Sequence, residues 1–330
     1  MGARHDHGRR DRRIDPNDDV VLSAQDSPPA GYWAGIALVV GGSVLLASKG
    51  IFAKLLYARG LHYETVVATR ALLAIPGFML VAHWRPGPAA LRHAPTSQLM
   101  RAALAGVVCY YVGASLNFYA LTLIDASVER ALLYSYPAMV VIATWVISRQ
   151  RPGPIMSLAV IGTFVGIVLV VGLLRPDVPA QNLVGVACVL LCSATIAYYY
   201  LASGSLTRSL GSAQFTVVAM TTAGLVLTVH YQIRHGWQTL SLDATSWWLM
   251  VALVVFATVL PLYLVAEGLR RVGAERAAVA STSGPPAAAL MAAFMLGDSV
   301  RVDQWLGILV IVASIALLEI RRGRKRDGSN

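Results

Sequence analysis

The chain has 330 residues, of which 56% are hydrophobic and 13% charged, and it carries a formal net charge of +10. This apolar share exceeds what one water-soluble core can bury, which indicates a membrane protein. The apolar runs are long and continuous, so they favour transmembrane helices over the short alternating strands of a membrane barrel. We therefore expect an all-α integral membrane protein.

Residues 1–31 differ from the rest of the chain. They carry six Asp and five Arg among His, Ser and Pro, without an apolar period, which predicts a disordered tail. A signal peptide would place its apolar stretch directly behind a short basic start, and no such stretch precedes residue 33. His5 and His7 have no further ligands in this tail, so we predict no metal site and no cofactor.

Polar and Pro/Gly-rich breaks divide the remainder into ten candidate transmembrane helices, five in each half. The links between them are too short for a soluble domain, so the function is expected in the membrane part. The predicted helices are 33–56, 64–83, 99–122, 128–148, 155–174, 183–203, 213–233, 246–268, 275–296 and 303–320.

Two stretches of the chain, 148 positions apart, are similar to each other. Sliding one onto the other aligns Leu121 with Leu269, Ala126 with Ala274, Ser135 with Ser283, and Pro137 with Pro285. The run TVVA also occurs twice, at 65–68 and 216–219. This predicts an internal duplication, with repeats at 32–174 and 183–320 between the terminal tails 1–31 and 321–330.

Five helices per repeat is an odd number, so the second repeat enters the membrane from the opposite side. The expected architecture is a 5+5 inverted repeat around a central cavity. Such pseudo-symmetry is a known basis for alternating access, in which two repeats rearrange around a site near the midplane.

The basic residues predict the direction of the helices, because loops rich in Lys and Arg stay in the cytoplasm. With both termini inside, the inside segments hold 19 Lys and Arg residues, and the outside loops hold five, at Arg59, Arg130, Arg175, Arg234 and Arg301. We therefore predict a bacterial-type inner-membrane protein with both termini cytoplasmic. The net charge needs no nucleic-acid partner, and segment 321–326 is expected to contact anionic membrane lipid.

Lys49, Lys54 and Arg70 are the basic residues inside the predicted spans, and charge in a membrane is costly enough to suggest a function. Lys54 can reach the interface from its helix end, and Arg70 can brace the bundle against Glu64 or Glu129, so we assign both structural roles. Lys49 is deeper, and both a cavity-facing and a structural role remain open for it. In the cavity, it would favour a substrate with a carboxylate or phosphate.

Glu129 and Glu267 are the membrane-adjacent acids, and we assign both to structural charge. Glu267 and Arg271 have the i,i+4 spacing of a helical ion pair. No acid lies near the middle of a predicted span. The sequence therefore shows no evident proton carrier and leaves proton coupling and uniport open.

Polar and aromatic residues inside the spans provide candidates for substrate binding. An amide buried in hydrocarbon must be hydrogen-bonded, which singles out Asn117. Tyrosines near helix ends are usually interfacial anchors, so only those that are deeper or adjoin the proline breaks are retained. The candidate cavity residues are Lys49, Tyr110, Asn117, Tyr134, Tyr198, Tyr263 and Ser283.

Pro137 and Pro285 each free a backbone carbonyl one turn earlier, which small or hydroxylated neighbours such as Ser135 and Ser283 could bond. A plain packing kink explains these prolines equally well. Because the two copies run in opposite directions near the expected site, we predict that they form a hinge pair.

Four segments resemble the drug/metabolite transporter superfamily, specifically its ten-helix EamA-type transporters. They are GIFAKLL at 50–56, ATRALLAIP at 68–76, the stretch 120–137 with SVERALLYSYP, and the stretch 269–317, in which Asp298 stands where Glu is more usual. The resemblance implies a basket-like bundle of ten helices whose helices one, three, four, six, eight and nine line a central cavity. It also implies transport of small organic metabolites or drugs, without specifying which.

We expect a transporter that moves a small organic metabolite, such as an amino acid or vitamin, by alternating access, with export favoured over import. The competing class is an intramembrane acyl or glycosyl transferase, which would need a catalytic set. His62, His83, His93, His230 and His235 lie in loops or at helix ends, and none pairs with an acid in an obvious motif. The sequence does not predict the oligomeric state.

Overall fold

The computed structural model describes residues 32–83, 94–149, 151–172, 180–210, 212–236, 242–272, 277 and 280–327. The predicted disordered tail, with His5 and His7, lies outside the described residues. Across the described ranges the regular structure is helical, with no strand. The all-α prediction is thus confirmed.

Ten helical units follow one another in these ranges, and several are interrupted. The first five are α1 (Tyr32–Ala58, broken at Ser48), α2 (Tyr63–His83), α3 (Thr96–Ala120), α4 (Ala126–Leu133 and Tyr136–Ser148) and α5 (Pro154–Val171). The second five are α6 (Ala180–Leu210), α7 (Ser212–His235), α8 (244–272), α9 (Gly284–Leu296) and α10 (Val302–Asp327). Eight are long and apolar enough to cross a membrane, whereas α9 and the apolar part of α10, Val302–Leu317, are shorter.

Three helix boundaries differ most from the predicted ranges. α9 begins at Gly284 instead of residue 275, and α10 continues seven residues past residue 320, to Asp327, in the segment predicted as a tail. α6 continues seven residues past the expected end at residue 203. Leu206 and Leu210 are buried there against Phe215 of α7 and Ala102 of α3. An apolar contact outside the predicted span therefore keeps this polar segment helical.

The two halves make equivalent contacts. Gly35 of α1 lies against Gly268, Arg271 and Val272 of α8, so the start of one helix meets the end of the other. In the same way, Gly185 of α6 lies against Ala120, Leu123 and Ile124 at the end of α3. The two glycines are 150 positions apart and their partners 148. These antiparallel pairs are what an inverted repeat requires.

The helix irregularities repeat as well. The π-helical segment Val107–Gly113 of α3 begins 148 positions before its counterpart Val255–Val259 in α8. The second part of α4 begins at Tyr136, directly after Ser135, and α9 begins 148 positions later at Gly284, directly after Ser283. π-Helical turns are frequent at functional sites.

Four loops gather at one end of the bundle, here called the outer end, as the distribution of basic residues predicts. Lys54 Nζ lies 3.8 Å from Asp125 Oδ1, and Arg59 Nη1 lies 3.5 Å from Asp243 Oδ2. The pKa of Asp298, in the loop between α9 and α10, is raised by burial and by the charge of Asp125, while Lys54 opposes the shift. Alternate connections therefore lie on the same side.

Candidate functional site

A cavity of about 230 Å³ opens between seven helices of the bundle, α1–α4 and α6–α8. Its wall is largely apolar, with Phe78 and Met220 among the lining side chains. The resemblance implied a lining that includes the ninth helix. In the structure α2 and α7 line the cavity, and α9 does not contribute to the described lining.

Three basic side chains, Lys49, Arg70 and Arg130, line this cavity together. They come from α1, α2 and α4, so tertiary packing brings them to one place. The predicted cavity-facing alternative for Lys49 therefore agrees with its position. Tyr110 of α3, another predicted cavity residue, also lies in the lining.

Lys49 binds an acid and an amide directly behind the cavity wall. Its Nζ donates to Asn117 Oδ1 at 2.5 Å and to Glu129 Oε1 at 3.1 Å, and Asn117 Nδ2 donates to the same carboxylate oxygen at 2.5 Å. The Glu129 side chain is 1% exposed, whereas that of Lys49 is 14% exposed. The three side chains satisfy one another, which is the condition for placing a carboxylate in a bundle interior.

Arg70 occupies a different environment from the one predicted. Its Nη1 lies 3.4 Å from Thr258 Oγ1, in the π-helical turn of α8, and its guanidinium lies 5.0 Å from the ring centroid of Phe118. Its Nε is buried without a hydrogen-bond partner among the described residues. The carboxylates expected to brace it bind elsewhere, because Glu129 bonds Lys49 and Glu64 bonds His235.

Arg130 was predicted in an outside loop, and this is wrong. It lies in the first part of α4, Ala126–Leu133, whose eight residues are all buried. Arg130 is 7% exposed, its guanidinium lies 5.0 Å from the ring centroid of Tyr134, and its Nε has no partner in the described structure. Arg130 lies near a predicted helix end, which suggested a loop position. In the structure the helix breaks at Ser135, and the first half of α4 packs inside the bundle.

The remaining predicted cavity residues fall into two groups. Tyr134 is buried, and Ser283 is half-buried with an Oγ that finds no partner in the described structure. Tyr198 and Tyr263 are 40% and 47% exposed and do not belong to the described lining. Lys49 and Tyr110 therefore line the cavity, and Asn117 bonds Lys49. Tyr134 contacts Arg130, a lining residue, whereas Tyr198 and Tyr263 lie apart.

The breaks before the two prolines are held by hydroxyl groups from other helices. The carbonyl freed by Pro137 belongs to Leu133 and lies 3.2 Å from Ser193 Oγ of α6, a hydroxyl shared with Val189 O at 3.0 Å. The carbonyl freed by Pro285 belongs to Ser281 and accepts from Tyr134 OH at 2.9 Å. The serine hydroxyls that were expected to bond these carbonyls do not do so, because the Oγ atoms of Ser135 and Ser283 are buried without partners in the described chain. Each repeat thus supports the break of the other.

Glu267 and Lys54, which were predicted to have structural roles, each form an ion pair with a nearby charged side chain. Glu267 Oε1 accepts from Arg271 Nε at 2.9 Å, as the i,i+4 spacing predicts. Lys54 lies near Asp125 at the outer end, on a side chain that remains partly exposed. Both pairs lie apart from the residues that line the cavity.

A helical bundle built from two inverted units around a charged cavity has the architecture of a membrane transport protein. A family model supports this conclusion. It describes the EamA-like transporter family and matches residues 33–172 and 183–320, nearly all of the chain between its tails. The chain belongs to the EamA-like transporter family and is a multi-pass membrane transporter. The resemblance found in the sequence is confirmed.

Individual relatives agree with this family. The uncharacterized transporter YcbK of Bacillus subtilis (strain 168) is 30% identical over 301 residues, covering 88% of this chain and 96% of YcbK. The uncharacterized inner membrane transporter YicL of Salmonella typhimurium (strain LT2) is 24% identical over 212 residues, covering 63% of this chain and 69% of YicL. A solved crystal structure that covers 86% of this chain and 97% of its own has a TM-score of 0.60 at 15% identity, which concerns the fold alone.

Proposed function

We propose that this transporter moves a small organic metabolite with an anionic group through the central cavity by alternating access. The supporting observation is the pair Arg70 and Arg130. Both guanidinium groups line the cavity, and the ion pairs of the described residues give neither of them a carboxylate partner. A guanidinium in low dielectric attracts a carboxylate or phosphate strongly, often through two parallel hydrogen bonds.

Lys49 adds a third positive group, which it shares with Glu129. A substrate anion in the cavity would compete with Glu129 for the ammonium, since both lie within reach of Nζ. The apolar part of the wall suits a substrate with a hydrocarbon or aromatic body beside its charge. Amino acids and vitamins with a carboxylate fit this description.

The proposal places the chain in a bacterial-type inner membrane with both termini cytoplasmic. The inside segments hold 19 basic residues, and moving Arg130 into the bundle leaves four in the outside loops. The relative YicL is described as an inner membrane transporter, which supports the same location. Export is the favoured direction, and the family and the names of its relatives favour transport over the intramembrane transferase that the sequence leaves open.

Flux through purified protein tests this function. Proteoliposomes that hold the chain should show saturable flux of at least one member of a panel of carboxylates and phosphates, and less of matched neutral or cationic compounds. Comparison of metabolites inside and outside cells with and without the gene identifies the substrate and its direction. Absence of saturable flux across a broad panel would overturn the proposal.

Removal of either cavity arginine should weaken substrate binding. We expect Arg70→Ala and Arg130→Ala each to lower the apparent affinity about tenfold or more, because a charge-assisted hydrogen bond is worth roughly 1.5–3 kcal/mol. The measurement is the concentration dependence of flux. Arg301→Ala is the matched control, because Arg301 pairs with Asp303 near the outer end, with Nε and Oδ1 3.1 Å apart. Equal affinity in all three variants would contradict the assigned site.

The proline pair should affect turnover more than insertion. Pro137→Ala restores an N–H at the break in α4, which makes α4 more continuous and should slow the rearrangement of the repeats. Pro285→Ala restores one N–H at the start of α9 but leaves Pro286, so its effect should be smaller. We expect reduced flux at normal membrane yield. Pro154→Ala, at the first position of α5, is the control, since proline there replaces a donor that a helix start leaves free. Wild-type flux in both variants would assign these prolines to packing.

A further inference from the structure

Three potential metal ligands lie together at the outer end, away from the central cavity. His62 precedes α2, Glu64 lies in its first turn, and His235 ends α7. Their ligand atoms all lie within 4.8 Å of one another. No metal site was predicted from the sequence, in which Glu64 and His235 are 171 positions apart.

The two oxygens of Glu64 have separate partners. Oε1 accepts from Tyr63 OH at 3.2 Å and lies 3.2 Å from Arg234 Nη1. Oε2 lies 2.5 Å from His235 Nε2 and 3.8 Å from His62 Nδ1. One oxygen therefore anchors the carboxylate, and the other is directed at two imidazole nitrogens. Glu64 is itself 8% exposed, so this orientation is set inside the protein.

We propose that Glu64 Oε2, His62 Nδ1 and His235 Nε2 bind one divalent transition-metal ion, with Zn²⁺ as the best match. Two imidazoles and one carboxylate form a donor set that Zn²⁺ accepts readily, with a fourth position left for water. Metal–ligand distances of about 2.0–2.2 Å require the carboxylate and imidazole to separate slightly from their present contact. The ion takes the place of the hydrogen bond between Nε2 and Oε2, and the neutral imidazole that ligates through Nε2 carries its proton on Nδ1.

Arg234 has an opposing and a supporting effect on this site. Its positive charge lowers the affinity for a dication, so the site should bind more weakly than one with a free carboxylate. It binds Oε1, however, which leaves Oε2 available. Carboxylates that ligate metals are commonly held by such a hydrogen bond through their other oxygen.

An ion here would join the start of α2 to the end of α7. These two helices pack along each other and contribute Arg70 and Met220, among others, to the cavity wall. A bound ion would restrain their separation at the outer end. We therefore expect metal binding to slow transport by restraining a helix pair that borders the cavity.

Metal binding to the purified full-length chain tests the site directly and needs no transport substrate. The chain is prepared in detergent without a histidine tag, stripped with a chelator, and carries His5→Ala and His7→Ala to remove the tail histidines. Calorimetric titration with Zn²⁺ should give about one ion per chain, and Co²⁺ should give the d–d absorption of a low-symmetry site. In the same background, His62→Ala and His235→Ala should each weaken binding more than about tenfold.

His230→Ala is the matched control. His230 lies on α7 one turn or so before His235, and its Nδ1 bonds Tyr111 OH at 3.0 Å, so its loss should leave metal affinity unchanged. Thermal unfolding without metal verifies that each variant is folded. Zn²⁺ binding that survives both ligand substitutions, or that falls equally in His230→Ala, would overturn the site. Loss of transport alone would not bear on it, because the titration measures binding separately from flux.

Discussion

Lys49→Ala is expected to lower the free energy of unfolding by about 3 kcal/mol or more, because it leaves a buried carboxylate without its cation. Glu129 is 1% exposed, and its oxygen Oε1 is bonded by both Lys49 and Asn117. Asn117 alone cannot neutralise the charge. The change is measured by titrating the protein in mild detergent with SDS and monitoring the loss of helix by circular dichroism. The same variant should reduce flux, because Lys49 also lines the cavity.

Two further variants separate stability from binding. Lys54→Ala should cost less than about 1 kcal/mol, because the pair of Lys54 with Asp125 is at 3.8 Å and partly exposed. The double variant Lys49→Met with Glu129→Gln removes both charges and should recover most of the lost stability without restoring flux. If Lys49→Ala is no more destabilising than Lys54→Ala, the buried ion pair does not have the role assigned to it.

Gly106→Ala is expected to disrupt the contact between α3 and α7. A Cβ at residue 106 would lie 2.5 Å from the Cα of Ala219 and would collide with its carbonyl oxygen, so backbone rather than a flexible side chain would have to move. Overpacking of this kind costs about 3 kcal/mol at the upper end of its usual range. Tyr110 lies one turn further along α3 in the cavity lining, so flux should fall as well.

Gly41→Ala is the matched control for this glycine. Gly41 lies inside α1, and a Cβ there meets nothing within 4 Å. Alanine should be neutral or should stabilise the helix by roughly 0.5–1 kcal/mol, because glycine loses more backbone freedom on folding. Unfolding in SDS compares the two variants. Equal stability of the two would show that α3 and α7 separate without cost.

The repeats share a backbone arrangement, but the cavity charge belongs to one of them. Lys49, Arg70 and Arg130 all come from the first half. At the offset of 151 that aligns the TVVA runs, Arg70 corresponds to Thr221, whose Oγ1 is buried without a partner among the described residues. Inverted symmetry can therefore support the rearrangement of helices, while an unsymmetrical set of side chains selects the substrate.

Much of the fold could be predicted from local patterns. Apolar runs located the helices, and the recurrence of Ser-x-Pro at 135–137 and 283–285 located two equivalent breaks. The extension of α6 past its predicted end is associated with a tertiary contact, at Leu206 and Leu210. Helix ends near an interface depend on what they pack against, and that is not a local property.

The candidate site was predicted less completely. Lys49 and Asn117 stood out because a charge or amide in hydrocarbon must have a partner, but the partner was not identifiable. Glu129 and Arg130 lie close to a predicted helix end, which suggested an interfacial or loop position. The signal that could have found them was their place about two turns before Pro137, where a half-helix can enter the bundle.

The sequence by itself determined the membrane class, the helix count, the repeat and the family resemblance, because hydropathy, loop charge and short motifs are local quantities that act on each segment separately. Tertiary structure alone decided which polar groups meet. It joined Lys49 to Glu129 across 80 positions, placed Arg70 and Arg130 around one cavity, and brought His235 to Glu64. Electrostatic energy depends on distance through space, and the packing of helices sets that distance.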